Sequence, residues 1–264
     1  MGKDKTPWEG YITPSRIFGN LYFVGNRAVC QHLIDTGDGL ILIDSGFPEN
    51  LYQLVHNIWL LGFKPEDIKY IIHTHGHYDH LGATRQLVEM CGAKTFLGAP
   101  DSDIAEGKVD ASLADALGCV YSEFFTPDVK LCDKDVITLG NTYIKCVATP
   151  GHSDGTMSFF FDVTDGKKTL RAGLHGGVGT NTMDTEGLKK YNRAPSCREE
   201  HLFGLMKVRG EKFDICLGNH IKNNDTEGKI KRVLDGETDA FIDRDEWVRF
   251  IDSRIKRIKE VIEK

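Results

Sequence analysis

The run from Ile71 to Ala83, IIHTHGHYDHLGA, constrains this chain more than any other part of its sequence. It holds a His-x-His-x-Asp-His pattern made of His75, His77, Asp79 and His80. A turn needs glycine and aspartate, but it gains nothing from imidazoles at alternate positions unless something binds their nitrogens. Without a shared partner, four polar side chains crowded at one point would be costly to desolvate. The pattern therefore predicts a metal centre.

The flanking residues predict that this pattern lies on a loop between a strand and a helix. Tyr70, Ile71 and Ile72 form a short β-branched and aromatic run that is typical of a buried strand. After the pattern, apolar residues recur at helical spacing until Gly92, which is expected to end a helix. A loop held between two regular elements allows ligands to converge on one point.

Two further histidines are predicted to lie at strand ends. His152 belongs to the tight loop TPGHSDGT between two strands of alternating character, and His220 follows a short strand from Phe213 to Leu217. With the first four residues they make six candidate ligands, which are too many for one tetrahedral zinc ion but divide into three plus three. We therefore expect two metal ions per chain, each with an open coordination position. Imidazoles with one carboxylate suit Zn2+ first, with iron, manganese and cobalt as alternatives.

The other polar candidates have weaker patterns. Asp44 ends a strand that is predicted to lie beside the one feeding the histidine loop. We prefer it as a carboxylate that orients a ligand imidazole, over a simple turn cap. His175 is a loop histidine by default, and a group beside the ligands or the substrate is the sharper alternative. Three other histidines are interpreted as packed or surface residues: His32, His56 and His201.

Strands and helices alternate along the chain in an α/β pattern. A hairpin is predicted within residues 20–45, a helix over 49–62, and a second run of strands from Val129 onward. Because both halves carry ligands at strand ends, we predict two β-sheets packed face to face, with helices outside and the metal at the seam. We expect one domain over residues 1–264, built of two αβ halves at 17–125 and 126–264.

Composition and charge exclude several functional classes. The formal net charge of −6 provides no basic footprint, so nucleic acid is not an expected partner. The N-terminal residues lack the apolar core of a signal peptide and no stretch is apolar enough to span a membrane, so we expect a cytoplasmic protein. Seven cysteines without a Cys-x-x-Cys pair argue against a disulfide framework or a zinc ribbon.

Three local signals complete the pattern. Residues 99–116, which include Asp101 and Asp103, are interpreted as a polar surface or lid segment without chemistry. Ser196 and Glu199 predict a capping box at the start of a helix. An apolar stripe near the end of the sequence predicts a last, structural helix.

The three ligand motifs, HxHxDH, TPGHS and a late GNH, together resemble those of the metallo-β-lactamase-fold hydrolases. The resemblance runs from about Ile17 to the C-terminal helix. It implies a four-layered αβ/βα sandwich with two mixed β-sheets. It also implies that one metal is held by His75, His77 and His152, and the other by Asp79, His80 and His220.

One departure from the family pattern narrows the resemblance. Many of these hydrolases carry a metal-bridging aspartate after the strand that follows TPGH. Here that strand ends in Gly173, Leu174 and His175, and no acidic residue occurs between Asp165 and Asp184. A cysteine ligand is missing at that point too. The remaining set is most similar to the third subclass of class B β-lactamases and their relatives.

The sequence therefore predicts an enzyme, a dinuclear zinc-dependent hydrolase. Hydroxide bound to the metals is expected to attack a carbonyl carbon, with Asp79 as the catalytic residue that orients it. The expected partner is a small molecule with a hydrolysable carbonyl, and a β-lactam amide is one candidate. A lactone, ester or thioester hydrolase inside the cell is the close alternative. A phosphodiesterase and a non-enzymatic metal-binding module are weaker ones.

Overall fold

Seven strands form the first β-sheet, and they lie in sequence order across it. They are β1 (Ser15–Phe18), β2 (Leu21–Phe23), β3 (His32–Asp35), β4 (Leu40–Ile43), β5 (Ile68–Ile72), β6 (Lys94–Gly98) and β7 (Val129–Leu131). The pairs from β1 to β4 are antiparallel, and those from β4 to β7 are parallel. The predicted hairpin is the β3–β4 pair, and the sheet is mixed.

Five strands form the second sheet, in the order β12-β11-β10-β9-β8. They are β8 (Val136–Leu139), β9 (Thr142–Ala148), β10 (Met157–Thr164), β11 (Thr169–Leu174) and β12 (Ile215–Leu217). Only the β11–β12 pair is parallel. The two sheets divide between Leu131 and Val136, because β7 pairs with β6 in the first sheet.

The sheets stack face to face, and strand periodicity decides which side chains lie between them. Ile34 and Ile41 of the first sheet and Phe159 and Phe161 of the second share the central core. Phe160, the intervening residue, points to the opposite face of β10 and packs in an outer core instead. Strands buried on both faces read as continuous apolar runs, which accounts for the FFF sequence.

Eight α-helices, counted over residues 10–264, are the outer layers and the connections. They are α1 (Leu51–Leu60), α2 (Tyr78–Leu81), α3 (Thr84–Cys91), α4 (Ser102–Ala105), α5 (Thr185–Lys190), α6 (Cys197–Arg209), α7 (Thr226–Leu234) and α8 (Glu246–Ile262). Leu54 and Ile58 of α1 pack on the first sheet, whereas Leu205 of α6 and Trp247 of α8 pack on the second. The four layers are the predicted αβ/βα sandwich, and that prediction is confirmed.

The structure is a computed structural model that describes residues 10–264. Residues 1–9, on which part of the expectation about a signal peptide depends, lie outside the described residues. Among the helices of the described part, none combines the length and the apolar character needed to cross a bilayer.

Two local predictions are wrong. Ser196 occupies the N-cap position of α6, so the predicted helix start is confirmed, but the predicted capping box is absent, because Ser196 makes no capping hydrogen bond and has helical dihedrals of φ −57° and ψ −20°. Turn hydrogen bonds already start at Ala194 and Pro195, so Ser196 lacks the extended backbone that side-chain capping needs. The surface interpretation of residues 99–116 holds for Asp103 but fails for Asp101, which is only 1% exposed.

Candidate metal centre

The HxHxDH residues lie where β5 ends, as predicted. His75 and His77 are on the loop that follows the strand, and Asp79 and His80 are on the single turn of α2. The strand enters the core with Ile71 and Ile72 fully buried, so the loop starts at the edge of the sandwich. His75 and His80 have no exposed surface.

The other two predicted ligands reach the same edge from the second sheet. His152 lies on the loop between β9 and β10, and its ring centroid is 4.6 Å from those of both His75 and His77. His220 follows β12, and its ring centroid is 4.9 Å from that of His80. The two sheets therefore bring all six predicted ligands together at their seam.

Three imidazoles form the first ligand group, called the first triad here: His75, His77 and His152. One ligand atom from each lies within 4.8 Å of the others. His75 Nδ1 donates to the carbonyl oxygen of Gly176 at 2.8 Å, and His152 Nδ1 donates to that of Gly179 at 2.8 Å. These bonds orient both rings and leave their Nε2 atoms for a ligand.

Asp79, His80 and His220 form the second triad. Asp79 Oδ2 lies 3.5 Å from His80 Nε2 and 3.6 Å from His220 Nε2. The two Nε2 atoms are 3.2 Å apart. His75 also has a ligand atom within 4.8 Å of Asp79 and His80, so it stands between the two groups. We assign it to the first triad because the second is completed by His220, whose Nε2 lies 3.2 Å from that of His80.

The hydrogen bonds of these rings fit a metal ion. His80 Nδ1 faces the carboxylate of Asp44 at 2.7 Å, and His220 Nδ1 faces the carbonyl oxygen of Ala28 at 3.1 Å. Both partners only accept, so each Nδ1 carries the hydrogen and a neutral ring presents a bare lone pair at Nε2. These two lone pairs are 3.2 Å apart, and the Nε2 of His75, which is buried and has no hydrogen-bond partner, lies nearby. Such a cluster of lone pairs is suited to binding metal cations.

Burial keeps the first triad in the form that binds metal. Removal from water lowers the pKa of His75 and His77 well below the ordinary value, and lowers that of His152 to about 4. The second triad differs because it contains a negative charge. Burial alone would lower the pKa of His80, but Asp79 and Asp44 outweigh it and raise that pKa. Burial also opposes ionisation of Asp79, yet His80 and His220 lower its pKa overall, which favours the carboxylate.

Asp44 lies where the sequence predicts it, against the imidazole of a candidate ligand, His80. Its Oδ2 accepts from His80 Nδ1 at 2.7 Å and from Thr74 Oγ1 at 2.8 Å, while Oδ1 accepts from Thr74 N at 2.8 Å. The residue is fully buried and has a left-handed backbone, with φ 61°. Such backbone is unfavourable for most residues but is tolerated by aspartate and asparagine.

The end of β11 supplies a carbonyl group but no carboxylate. Leu174 packs in the central core, and His175 is buried with no partner for its Nε2. Gly176 O accepts from His75 Nδ1 at 2.8 Å and from Asn219 Nδ2 at 2.7 Å. His175 thus lies beside the centre without joining either triad.

The three histidines interpreted as bystanders take no part in either triad. His32 is buried, with its Nε2 2.9 Å from the carbonyl oxygen of Gly218. His201 is a buried residue of α6, and the ring of His56 lies beside that of Tyr11 at 6.2 Å.

Several residues that support the centre were not predicted from the sequence. His73 is buried between the carbonyl oxygen of Phe96 at 2.9 Å and Thr84 Oγ1 at 2.7 Å, which fixes the end of β5. Asn219, next to His220, ties its loop to the carbonyl that orients His75. Asp101 accepts hydrogen bonds from both ligand loops. Only Asn219 had a local signal, since it belongs to the GNH motif.

The stacked sheets and the six ligands at their seam define an αβ/βα sandwich with a candidate metal centre. Residues 25–165, just over half of the 264, match the family model of the metallo-beta-lactamase superfamily. The chain belongs to that superfamily, and the resemblance inferred from the three motifs is confirmed.

Solved structures resemble the chain over nearly its whole length. The subclass B3 metallo-beta-lactamase BJP-1 of Bradyrhizobium japonicum is 27% identical, with a TM-score of 0.87 and coverage of 98% of this chain and 96% of that one. The metallo-beta-lactamase GOB-18 from Elizabethkingia meningoseptica is 29% identical, with a TM-score of 0.84 and coverage of 98% and 95%.

Curated relatives match over a shorter part. A probable polyketide biosynthesis zinc-dependent hydrolase, PksB, of Bacillus subtilis is 28% identical over 55% of this chain and 52% of its own length. An N-acyl homoserine lactonase of Bacillus cereus is 26% identical over 60% of this chain and 65% of its own. The chain thus spans about half to two thirds of the length of these relatives.

Proposed function

We propose that this protein is a dinuclear zinc hydrolase that opens cyclic amides of the β-lactam type. One observation carries the proposal: two adjacent triads contain a single carboxylate ligand, Asp79, and β11 contributes none. The full-length likeness to subclass B3 metallo-beta-lactamases supports the same choice.

The donor set supports two zinc ions. Each triad offers three protein ligands, which leaves room for water or substrate at a tetrahedral or five-coordinate ion. Five imidazoles and one carboxylate favour zinc over the harder divalent cations, with iron, manganese and cobalt as the alternatives. When bound, the ions would supply water that ionises near neutral pH and an electrophile for the carbonyl oxygen.

Asp79 and His220 define the side from which substrate approaches. The side chain of Asp79 is 15% exposed and that of His220 is 38% exposed, whereas His80 behind them has no exposed surface. A carbonyl compound therefore enters from the side of the second triad. The first triad lies deeper, since His75, His77 and His152 are all buried.

Asp79 is proposed to orient the attacking water. Its place on α2 and its proximity to His80 hold the carboxylate in one position, and its lowered pKa keeps it ionised. A carboxylate in this state accepts a hydrogen bond from the water and takes up the proton that the water loses. The water oxygen bonds to the carbonyl carbon, the amide C–N bond breaks, and the leaving nitrogen receives the proton that Asp79 accepted from the water.

A lactone, ester or thioester is the alternative substrate class. The observation that favours it is the similarity to curated N-acyl homoserine lactonases, which is 26% over 187 residues for the Bacillus cereus protein. The ring opening would need the same water and the same carboxylate. Only the leaving atom differs, because an alkoxide oxygen, or a thiolate sulfur in a thioester, leaves in place of an amide nitrogen.

The deciding experiment joins metal analysis to a hydrolysis panel. Purified protein is assayed for bound metals and then for turnover of nitrocefin, an acyl homoserine lactone, a thioester and bis-p-nitrophenyl phosphate. Two zinc ions and rapid nitrocefin turnover are expected, with Asp79→Ala prepared in parallel to detect contaminating hydrolases. Lactone turnover without nitrocefin turnover would transfer the assignment to the alternative. Phosphodiester turnover alone, or inactivity at substoichiometric metal, would overturn both.

A further inference from the structure

Asp101 is a buried carboxylate that accepts hydrogen bonds from both loops that carry the first triad. It lies between β6 and α4 and is 1% exposed. Its Oδ2 accepts from the backbone N–H of Gly76 at 2.7 Å and from Ser153 Oγ at 2.6 Å. Its Oδ1 accepts from the backbone N–H of Gly155 at 2.7 Å.

These three donors belong to the two loops that carry the first triad. Gly76 is the residue between His75 and His77. Ser153 directly follows His152, and Gly155 lies on the same loop. The first loop comes from the first sheet and the second from the other sheet, so one carboxylate ties the ligand loops of both sheets together.

The local structure around Asp101 does not explain why its side chain contacts these two loops. It is the N-cap residue of α4, where an aspartate ordinarily accepts from the first turn of its own helix. Here the side chain makes no capping hydrogen bond. The carboxylate is directed away from its helix, toward the two ligand loops.

Close backbone packing indicates that the contact is built into the fold. A Cβ at Gly155 would lie 2.6 Å from Asp101 Cγ, and a Cβ at Gly98 would lie 1.9 Å from the carbonyl oxygen of Gly155. Neither distance is sterically allowed, so the loop of His152 can rest against the end of β6 only if both positions are glycine. This approach brings the Gly155 N–H within hydrogen-bond distance of Asp101.

We propose that Asp101 is a positioning residue that fixes the loops of His77 and His152 against each other, and so sets the geometry of the first triad. The inference rests on the proposed metal-dependent function but concerns metal binding itself. Burial raises the pKa of the Asp101 carboxyl, while its three donors act against that rise. Three donors around an acceptor-only group are the arrangement expected for the ionised form.

The test compares Asp101→Asn with Asp103→Asn, two residues further along. In the asparagine variant, the side-chain NH2 group must face N–H or O–H donors that pair with a carboxylate oxygen in the wild type. Hydrogen bonds are therefore lost while the side-chain volume stays nearly constant. The side chain of Asp103 is 56% exposed, so its variant is a matched control. Zinc affinity is measured by competition with a chromophoric chelator, and the geometry of the centre from the visible absorption of the cobalt-substituted protein.

Asp101→Asn is expected to weaken zinc binding at the first triad by about 10–100-fold, the range found when a group that orients a ligand is removed. Its cobalt spectrum should shift, whereas Asp103→Asn should match the wild type in both readouts. If Asp101→Asn folds poorly, Ser153→Ala, which removes one of the three donors and leaves the carboxylate, should still weaken binding measurably.

Two results separate this inference from the proposed function. If the wild-type protein binds two zinc ions, and both Asp101→Asn and Ser153→Ala retain its affinity and cobalt spectrum, Asp101 does not position the triad and the inference is overturned. If the wild-type protein itself binds no metal, the proposed function fails first, since the comparison between variants then has no baseline.

Discussion

The two triads differ in how the protein encloses and supports them. In the first, three imidazoles have almost no exposed surface, backbone carbonyls orient two of them, His75 and His152, and Asp101 ties the loops together. In the second, Asp79 and His80 share one turn of helix while His220 comes from a distant loop and is 38% exposed. The first is therefore a closed, neutral set of donors, and the second is an open, negatively charged one.

This difference suggests a division of labour between anchoring and reacting. Neutral imidazoles in a dry site bind metal without competition from protons or solvent. The carboxylate of Asp79, at the entrance to the site, can exchange hydrogen bonds with water and substrate. Each ligand group is nevertheless supported by its own buried aspartate, Asp101 for the first and Asp44 for the second. Substitutions that affect one triad alone can test the division.

The largest effect is expected from removing one ligand of either triad. His152→Ala and Asp79→Ala should each lower kcat/KM by at least about 10⁴-fold, because groups that act as a unit are lost together. The variants should still differ in metal content, since each retains one intact triad. Turnover in buffer of defined zinc concentration and metal analysis of the folded protein measure the two quantities.

Circular dichroism provides the control for those two variants, because both should keep the wild-type spectrum. Near-wild-type turnover by either variant at defined zinc concentration would contradict the site assignment. Loss of both ions from each variant would show instead that the triads are not independent.

A smaller effect is expected from Asp44→Asn, which acts on the second triad through His80. The amide can present an N–H where His80 Nδ1 needs an acceptor, so zinc affinity at that triad should fall about 10–100-fold. Asparagine accepts the left-handed backbone at this position, so the loop should be preserved. Calorimetric zinc titration, with the exposed Asp38→Asn as control, measures the change. Equal weakening of both sites would remove the distinction between the triads.

The positions of the six candidate ligands could be predicted from the sequence because their signals are local. The HxHxDH pattern lies within six residues, and His152 and His220 each follow a strand whose β-branched and aromatic residues are recognisable. Asp44 was predicted from its place at the end of a neighbouring strand. These strands end at the same seam, so knowing where each one stops was sufficient to place the ligand after it.

The support of the first triad was not predictable in this way. Asp101 bonds to residues 25 and 54 positions away, and no periodicity in residues 99–116 records those contacts. Helix α7 was missed because buried Ile230 and half-buried Val233 are the only large apolar residues before its last position. In both cases tertiary packing, which a single sequence does not display, decides the structure.

The smallest expected effect is a difference in the rate at which a chelator removes the two ions. His220 leaves the second triad open to solvent, whereas the first triad must open its clamped loops before a competing ligand can enter. We expect release from the second triad to be at least about tenfold faster, which corresponds to ~1.4 kcal/mol in activation free energy. Zinc release into excess chelator should then show two phases. Asp79→Ala should keep only the slow phase and His152→Ala only the fast one. A single phase of equal rate in the wild type and both variants would refute the comparison between a closed and an open triad.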